Sequence, residues 1–135
     1  MNILRTERVP VASDPDIVTT RQLVRTWAID VGFSLVDQTK IITAASELAR
    51  NTVQYGGGGT MQLEILEDGA RRGLRLTFCD QGPGIPNLEM AMRDGYTTGS
   101  GLGLGLGGSR RLMNDFRVDS AMGRGTTVIA TRWKP

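Results

Sequence analysis

Asp80-Gln81-Gly82-Pro83-Gly84-Ile85 begins a glycine-rich run that closes with Gly99-Ser100-Gly101-Leu102-Gly103-Leu104-Gly105-Leu106-Gly107-Gly108. The opening end follows an apolar, strand-like segment, Leu74-Arg75-Leu76-Thr77-Phe78-Cys79, and the closing end leads into a helical pattern. Glycines at this density present backbone N–H groups without Cβ obstruction. Ahead of a helix, such groups form an anion site. A carboxylate just after a strand, beside Gly-x-Gly, can accept a hydrogen bond from an exocyclic amine. Together the two ends suggest a nucleotide, with its base at Asp80 and its phosphates at the later glycines.

Other glycine motifs fit less well. Gly103-Leu104-Gly105-Leu106-Gly107-Gly108 formally matches Gly-x-Gly-x-x-Gly, but that fingerprint needs a preceding strand and a βαβ unit. Here the glycines follow a long polar loop. A P-loop needs Gly-Lys-[Ser/Thr], and the only lysines are Lys40 and Lys134. A flexible linker would not carry a leucine at every second position.

Composition narrows the field further. A chain of 135 residues is expected to form one domain, spanning 1–135, with one core. The net charge of +2 is spread along the chain, and no basic block with interleaved aromatics points to nucleic acid. No apolar run reaches membrane-spanning length, and the N-terminus lacks a signal-peptide pattern. Cys79 is the single cysteine, expected as a small buried hydrophobe in a strand and in keeping with a reducing cytoplasm. There is no histidine, so histidine bases, histidine metal ligands and phosphohistidine are excluded.

Around the glycine run the elements follow in order. Ile3 to Val11 reads as a strand, with Pro10 at its end or on an edge. Ser13-Asp14-Pro15-Asp16 starts a helix whose face Ile17, Val24, Trp27, Ala28 and Val31 is apolar, and Gly32 ends it. A second helix is expected from about Val36 to Tyr55, stopped by Gly56 to Gly59 with a left-handed cap. Strands near Thr60 to Glu67 and Gly73 to Cys79 flank an Asp68-Gly69 hairpin signal. Pro83 to Gly101 reads as a loop with at most a short helix around Leu88 to Arg93. A third helix over about Gly105 to Asn114 precedes a strand pair, Phe116 to Ser120 and Thr126 to Trp133. The expected architecture is α+β: a two-layer sandwich with helices on one face of a mainly antiparallel sheet.

In the second helix, Glu47 and Asn51 lie one turn apart and about 40° around the axis. Both border the apolar stripe, an awkward place for polar groups unless a cleft opens there. Glu47-x-x-x-Asn51, Asp80-x-Gly82-x-Gly84 and Gly101-x-Gly103-x-Gly105 resemble, in order and spacing, the three boxes of the GHKL (Bergerat-fold) ATPase superfamily. Its members include histidine kinases, gyrase-type ATPases, Hsp90 chaperones and anti-sigma-factor serine kinases. The short chain and missing histidine point to the last group, and within it to the RsbT-type switch kinases of the stressosome. Asp94-Gly95-Tyr96, Arg111-Leu112-Met113 and Gly125-Thr126 extend that resemblance over essentially the whole chain.

The resemblance implies a role for each position. Asp80 would bind the adenine amine, Gly82 and Gly84 would leave room for the base, and Thr126 would support the adenine site, often through water. Asn51 would ligate Mg²⁺ beside the phosphates of ATP. Gly101, Gly103, Leu104 and Gly105 would wrap those phosphates, and Glu47 would act as general base toward a partner's serine. It further implies a STAS-domain substrate and, on release, activation of a PP2C-type phosphatase. No lysine or arginine falls between Asp94 and Ser109, so contact with the γ-phosphate is left to Arg93, Arg110, Mg²⁺ or backbone N–H groups. A non-catalytic, nucleotide-dependent anti-sigma factor would share every one of these residues except the need for Glu47. A fragment of a histidine kinase or gyrase-type ATPase is a third reading, against which the ending at Trp133-Lys134-Pro135 is expected to close the domain.

Overall fold

The structure, a computed structural model, describes residues 1–85, 92 and 106–135. Among these residues the order is β1 (Asn2–Val11), α1 (Asp14–Val31), α2 (Leu35–Gln54), β2 (Gly59–Asp68), β3 (Arg71–Asp80), α3 (Leu106–Leu112), β4 (Asp115–Ala121) and β5 (Gly125–Trp133). The five strands form one sheet in the order β1-β2-β3-β5-β4, and every neighbouring pair is antiparallel. This is the expected α+β sandwich. The short helix expected around Leu88 to Arg93 lies outside the described residues.

Helix starts follow the local chemistry. Pro15 sits in the first turn of α1, with Asp14 and Asp16 at the positive end of its dipole. Ser13 is the N-cap but its side chain makes no cap hydrogen bond. Asp16 reaches back instead, its Oδ2 accepting from the Ala12 N–H at 2.9 Å. Gly32, at φ 97°, ends α1 in the left-handed conformation. Ser34 caps α2 by accepting from the Asp37 N–H at 3.2 Å. The left-handed turn after α2 falls later than its first glycine: Tyr55 keeps a right-handed φ of −98°, and only Gly57 and Gly58 turn positive. Helix α3 stops at Leu112, before Asn114, whose N–H pairs with Thr131 O and whose Oδ1 accepts from the Trp133 N–H. Those bonds commit Asn114 to the sheet.

The inner face of the sheet carries the core. Met61↔Phe78, Leu63↔Leu76 and Ile65↔Leu74 pair across β2 and β3, and Val128 and Ala130 of β5 continue the same face. Val24, Trp27, Ala28 and Val31 of α1 and Ile41, Ala45, Leu48 and Ala49 of α2 pack into that layer. Trp27 is core as expected, and Arg5 of β1 lies over its ring at 5.1 Å. The β2–β3 loop is two residues, Gly69-Ala70, with only Gly69 at positive φ, the sign pattern of a type II′ turn. Cys79 departs from expectation: it faces the outer side of the sheet, half-buried, with Sγ 3.4 Å from Thr127 Oγ1. Strand alternation places it opposite the buried Phe78 and Asp80.

One ion pair ties the layers together far from any turn. Arg132 of β5 donates from Nη2 to Asp37 Oδ1 at 2.8 Å and from Nη1 to Leu112 O at 2.9 Å. It thereby joins the start of α2 to the end of α3, with both side chains nearly buried. Removing one member leaves the other desolvated without a partner. Arg132→Met is expected to lower unfolding free energy by about 2–4 kcal/mol in urea denaturation. A loss under about 1 kcal/mol would place the pair among surface bridges of little consequence.

Candidate nucleotide site

Asp80 ends β3, and it is nearly buried. Its Oδ1 accepts from the Gly82 N–H at 2.9 Å and from the Thr126 N–H at 3.2 Å. Two backbone donors thus satisfy one oxygen and fix the plane of the carboxylate. Oδ2 accepts neither of them, and it points toward Gly56, just beyond α2. A methyl group on Gly56 would lie 2.6 Å from Oδ2. Only a residue without a side chain can pack this closely against the Asp80 carboxylate.

The sheet register explains why these residues meet. Gly59 pairs with Asp80 across β2 and β3, and Cys79↔Thr127 sets Asp80 beside Thr126 of β5. Thr126 pairs in turn with Ser120 of β4. One rung therefore crosses four strands as Gly59, Asp80, Thr126 and Ser120, all on the helix-covered face. Ser120 Oγ lies 2.9 Å from Thr126 Oγ1 and accepts from the Ile85 N–H at 2.8 Å. The loop after Asp80 is pinned at each end and also in the middle, where Gly123 N–H donates to Pro83 O at 2.9 Å.

Helix α2 approaches the rung through its C-terminus. The Gly56 N–H donates to Asn51 O at 3.2 Å. A methyl on Gly82 would meet Gly56 Cα at 2.7 Å. The backbone of Asn51 is thus linked through Gly56 to the surroundings of Asp80. Glu47, one turn earlier, is half-buried and accepts from Arg50 Nη1 at 2.7 Å. Both residues border the apolar stripe of Ile41, Ala45, Leu48 and Ala49, where the helical spacing put them. Gly84, at φ 82°, packs against the β4–β5 turn, and a methyl there would come within 2.8 Å of the Ala121 carbonyl carbon.

The structure therefore brings Asp80, Gly82, Gly84 and Thr126 together, with Glu47 and Asn51 on the adjoining helix. Gly101, Gly103, Leu104 and Gly105 lie outside the described residues. The sequence does not single out three contributors: Gly56 and Gly59, which count there only as part of a helix stop, and Ser120. Their signal was a register, which cannot be read before strand pairing is known. Among the described residues no group of three or more His, Cys, Asp or Glu side chains could hold a metal. Nor is any described helix long and apolar enough to cross a membrane.

Residues 36–134 match the family described as histidine kinase-, DNA gyrase B-, and HSP90-like ATPase. The chain belongs to this ATPase family. It is 46% identical over 125 residues to serine/threonine-protein kinase RsbT of Bacillus subtilis strain 168, covering 93% of this chain and 94% of that protein. It is 35% identical over 102 residues to an anti-sigma F factor of Bacillus licheniformis, covering 70% and 68%. Among solved structures, the RsbU and RsbW domains of a Mycobacterium tuberculosis protein match with a TM-score of 0.66 at 21% identity, over 97% of this chain and 33% of that one. The mycobacterial sensor histidine kinase MprB matches with a TM-score of 0.54 at 22% identity, over 97% and 99%. Both structural likenesses speak to the fold.

A comparison of two glycines tests how tightly the rung is packed. Gly125 and Gly57 both have positive φ, at 81° and 71°. A methyl on Gly57 would meet nothing within 4 Å, whereas one on Gly125 would overlap the Asp80 carbonyl. Gly57→Ala is expected to cost about 1–2 kcal/mol of stability from backbone strain alone. Gly125→Ala should cost at least about 1 kcal/mol more. Equal losses in thermal denaturation would mean that the β3–β5 approach is loose.

Proposed function

We propose that this protein is an ATP-dependent serine/threonine protein kinase of a bacterial partner-switching pathway, working as a single domain in the cytoplasm. The observation that carries the reading is its likeness to RsbT along nearly the whole chain. The geometry at Asp80 supports it. A buried carboxylate with one oxygen held by backbone N–H groups, and the other beside a glycine, suits the exocyclic amine of adenine. Glycine at 56 and 82 lets the end of α2 and the loop after β3 pack directly against each other and against the Asp80 carboxylate.

Each residue then has a physical task. Asp80 accepts from the adenine amine, Gly82 and Gly84 shape the loop beneath the base, and Thr126 supports the base directly or through water. Asn51 offers its amide oxygen to Mg²⁺. With no cluster of acidic residues among those described, the other hard oxygen ligands come from phosphates and water. When bound, Mg²⁺ neutralises charge on the phosphates during transfer. Gly101, Gly103, Leu104 and Gly105 provide backbone N–H groups to those phosphates. Glu47 accepts the proton of the partner's serine hydroxyl as the serine oxygen attacks the γ-phosphorus in line; the bond to the β–γ bridging oxygen breaks and ADP leaves. The partner is a STAS-domain protein, and the released kinase activates a PP2C-type phosphatase.

The anti-sigma F factors among the relatives favour a second reading, in which the nucleotide site serves binding of a sigma factor. Glu47 separates the two. A positioned general base contributes about 10²–10⁴-fold to rate and little to ground-state binding. Glu47→Ala is expected to lose phosphate incorporation into the partner by that factor while binding ATP and partner as the wild type does. Full phosphorylation by Glu47→Ala would refute the base assignment. A wild type that phosphorylates none of the candidate STAS partners would favour the anti-sigma reading.

Asn51→Ala is a separate test of the metal site. ATP affinity of the wild type should rise with added Mg²⁺, and Asn51→Ala should lose most of that rise. An identical magnesium dependence in the two proteins would remove Asn51 as the ligand.

A further inference from the structure

We propose that Ser120 is a positioning residue that sets purine specificity, fixing the Thr126 hydroxyl as a hydrogen-bond acceptor so that a 6-amino purine is preferred over a 6-oxo purine. The inference rests on the nucleotide reading of the Asp80 site. Its basis is the rung Asp80, Thr126, Ser120, in which two hydroxyl groups and one carboxylate stand in line on one face of the sheet.

Ser120 Oγ has three neighbours: the Ile85 N–H at 2.8 Å, Thr126 Oγ1 at 2.9 Å and Gly125 O at 3.3 Å. A serine hydroxyl has one proton and two acceptor sites. The Ile85 N–H can only donate, so it takes one acceptor site. The Gly125 carbonyl can only accept, so it draws the serine proton, although across a longer contact. The remaining acceptor site of Ser120 is then filled by the Thr126 O–H. This is the one proton arrangement that satisfies all three contacts together. Were Ser120 to donate to Thr126 instead, the Gly125 contact would be lost and one acceptor site would be idle.

The consequence falls on Thr126. With its proton committed to Ser120, its oxygen offers only lone pairs, just as Asp80 Oδ2 does. Asp80 and Thr126 are neighbours on the rung, so this part of the site then offers two acceptors, which suits a group with two N–H bonds such as the 6-amino group of adenine. A 6-oxo group would face lone pairs from both and find no donor. Without Ser120, the Thr126 hydroxyl can rotate and donate to that 6-oxo group. Specificity would then weaken even though Asp80 and Thr126 are intact.

ATP and ITP differ at this edge of the base, and calorimetric titration of each, with Mg²⁺, reads the effect as a ratio of affinities. The wild type is expected to favour ATP. Ser120→Ala should lower the ATP-to-ITP ratio about tenfold, chiefly through relatively tighter ITP binding, since a purely structural loss would weaken both alike. Ser120→Cys, nearly the same size but with a weak donor and acceptor, should lower the ratio in the same direction. Ser120→Thr, which keeps the hydroxyl, should restore it. An unchanged ratio in both Ser120→Ala and Ser120→Cys overturns the role of Ser120. Equal binding of ATP and ITP by the wild type overturns it as well, and then the fault lies in the base reading of the site and not in Ser120.

Discussion

The bond pair from Gly82 and Thr126 to a single oxygen of Asp80 is the constraint on which the site depends. A carboxylate this deeply placed is costly unless its lone pairs are met. Meeting one oxygen with two backbone donors fixes the orientation of the other. For both donors to arrive, β5 must lie beside β3 in one register, and the chain after β3 must turn sharply back. Gly125 serves the first need by letting β5 approach the Asp80 carbonyl, and Gly82 serves the second by passing close to Gly56.

The helices come into this arrangement from the other side. Packing of Leu48 and Ala49 against the sheet sets the angle of α2, so the helix delivers Gly56 to Asp80 and leaves Glu47 and Asn51 along its border. The Arg132–Asp37 pair holds the far end of α2 and the end of α3 to β5. The residues proposed for catalysis and nucleotide binding are therefore placed by two layers whose mutual position is set by core contacts and by one nearly buried ion pair. Loosening any of these would be felt at a carboxylate that is not in contact with them.

Much of this was legible in the sequence because it was local. Pro15 and Gly32 mark the ends of α1 by chemistry within one turn, and the apolar spacing of α1 and α2 names the faces that pack. Glu47, Asn51 and Asp80 stood out through motif spacing. What was not legible was long-range. Nothing near Gly56 says that its missing side chain lets it pack against Asp80, because the two residues meet only after β2 and β3 have paired. Ser120 looks like any polar residue on an edge strand until the rung places it against Thr126. The outward placement of Cys79 follows from strand parity, which depends on Asp80 facing inward, and so it too waited on the sheet.

The central claim is that Oδ2 of Asp80 recognises an exocyclic amine on the nucleobase. It is tested most directly by the ligand's own chemistry, with the protein unaltered. ADP can be compared by calorimetry with the diphosphate of purine riboside, which has the same ring system and phosphates but no 6-amino group. A buried acceptor left without its donor costs about 1–3 kcal/mol, so the analogue should bind roughly 10–100-fold more weakly. Equal affinities for the two would show that Asp80 Oδ2 does not hold that amine, and the base would have to be placed elsewhere.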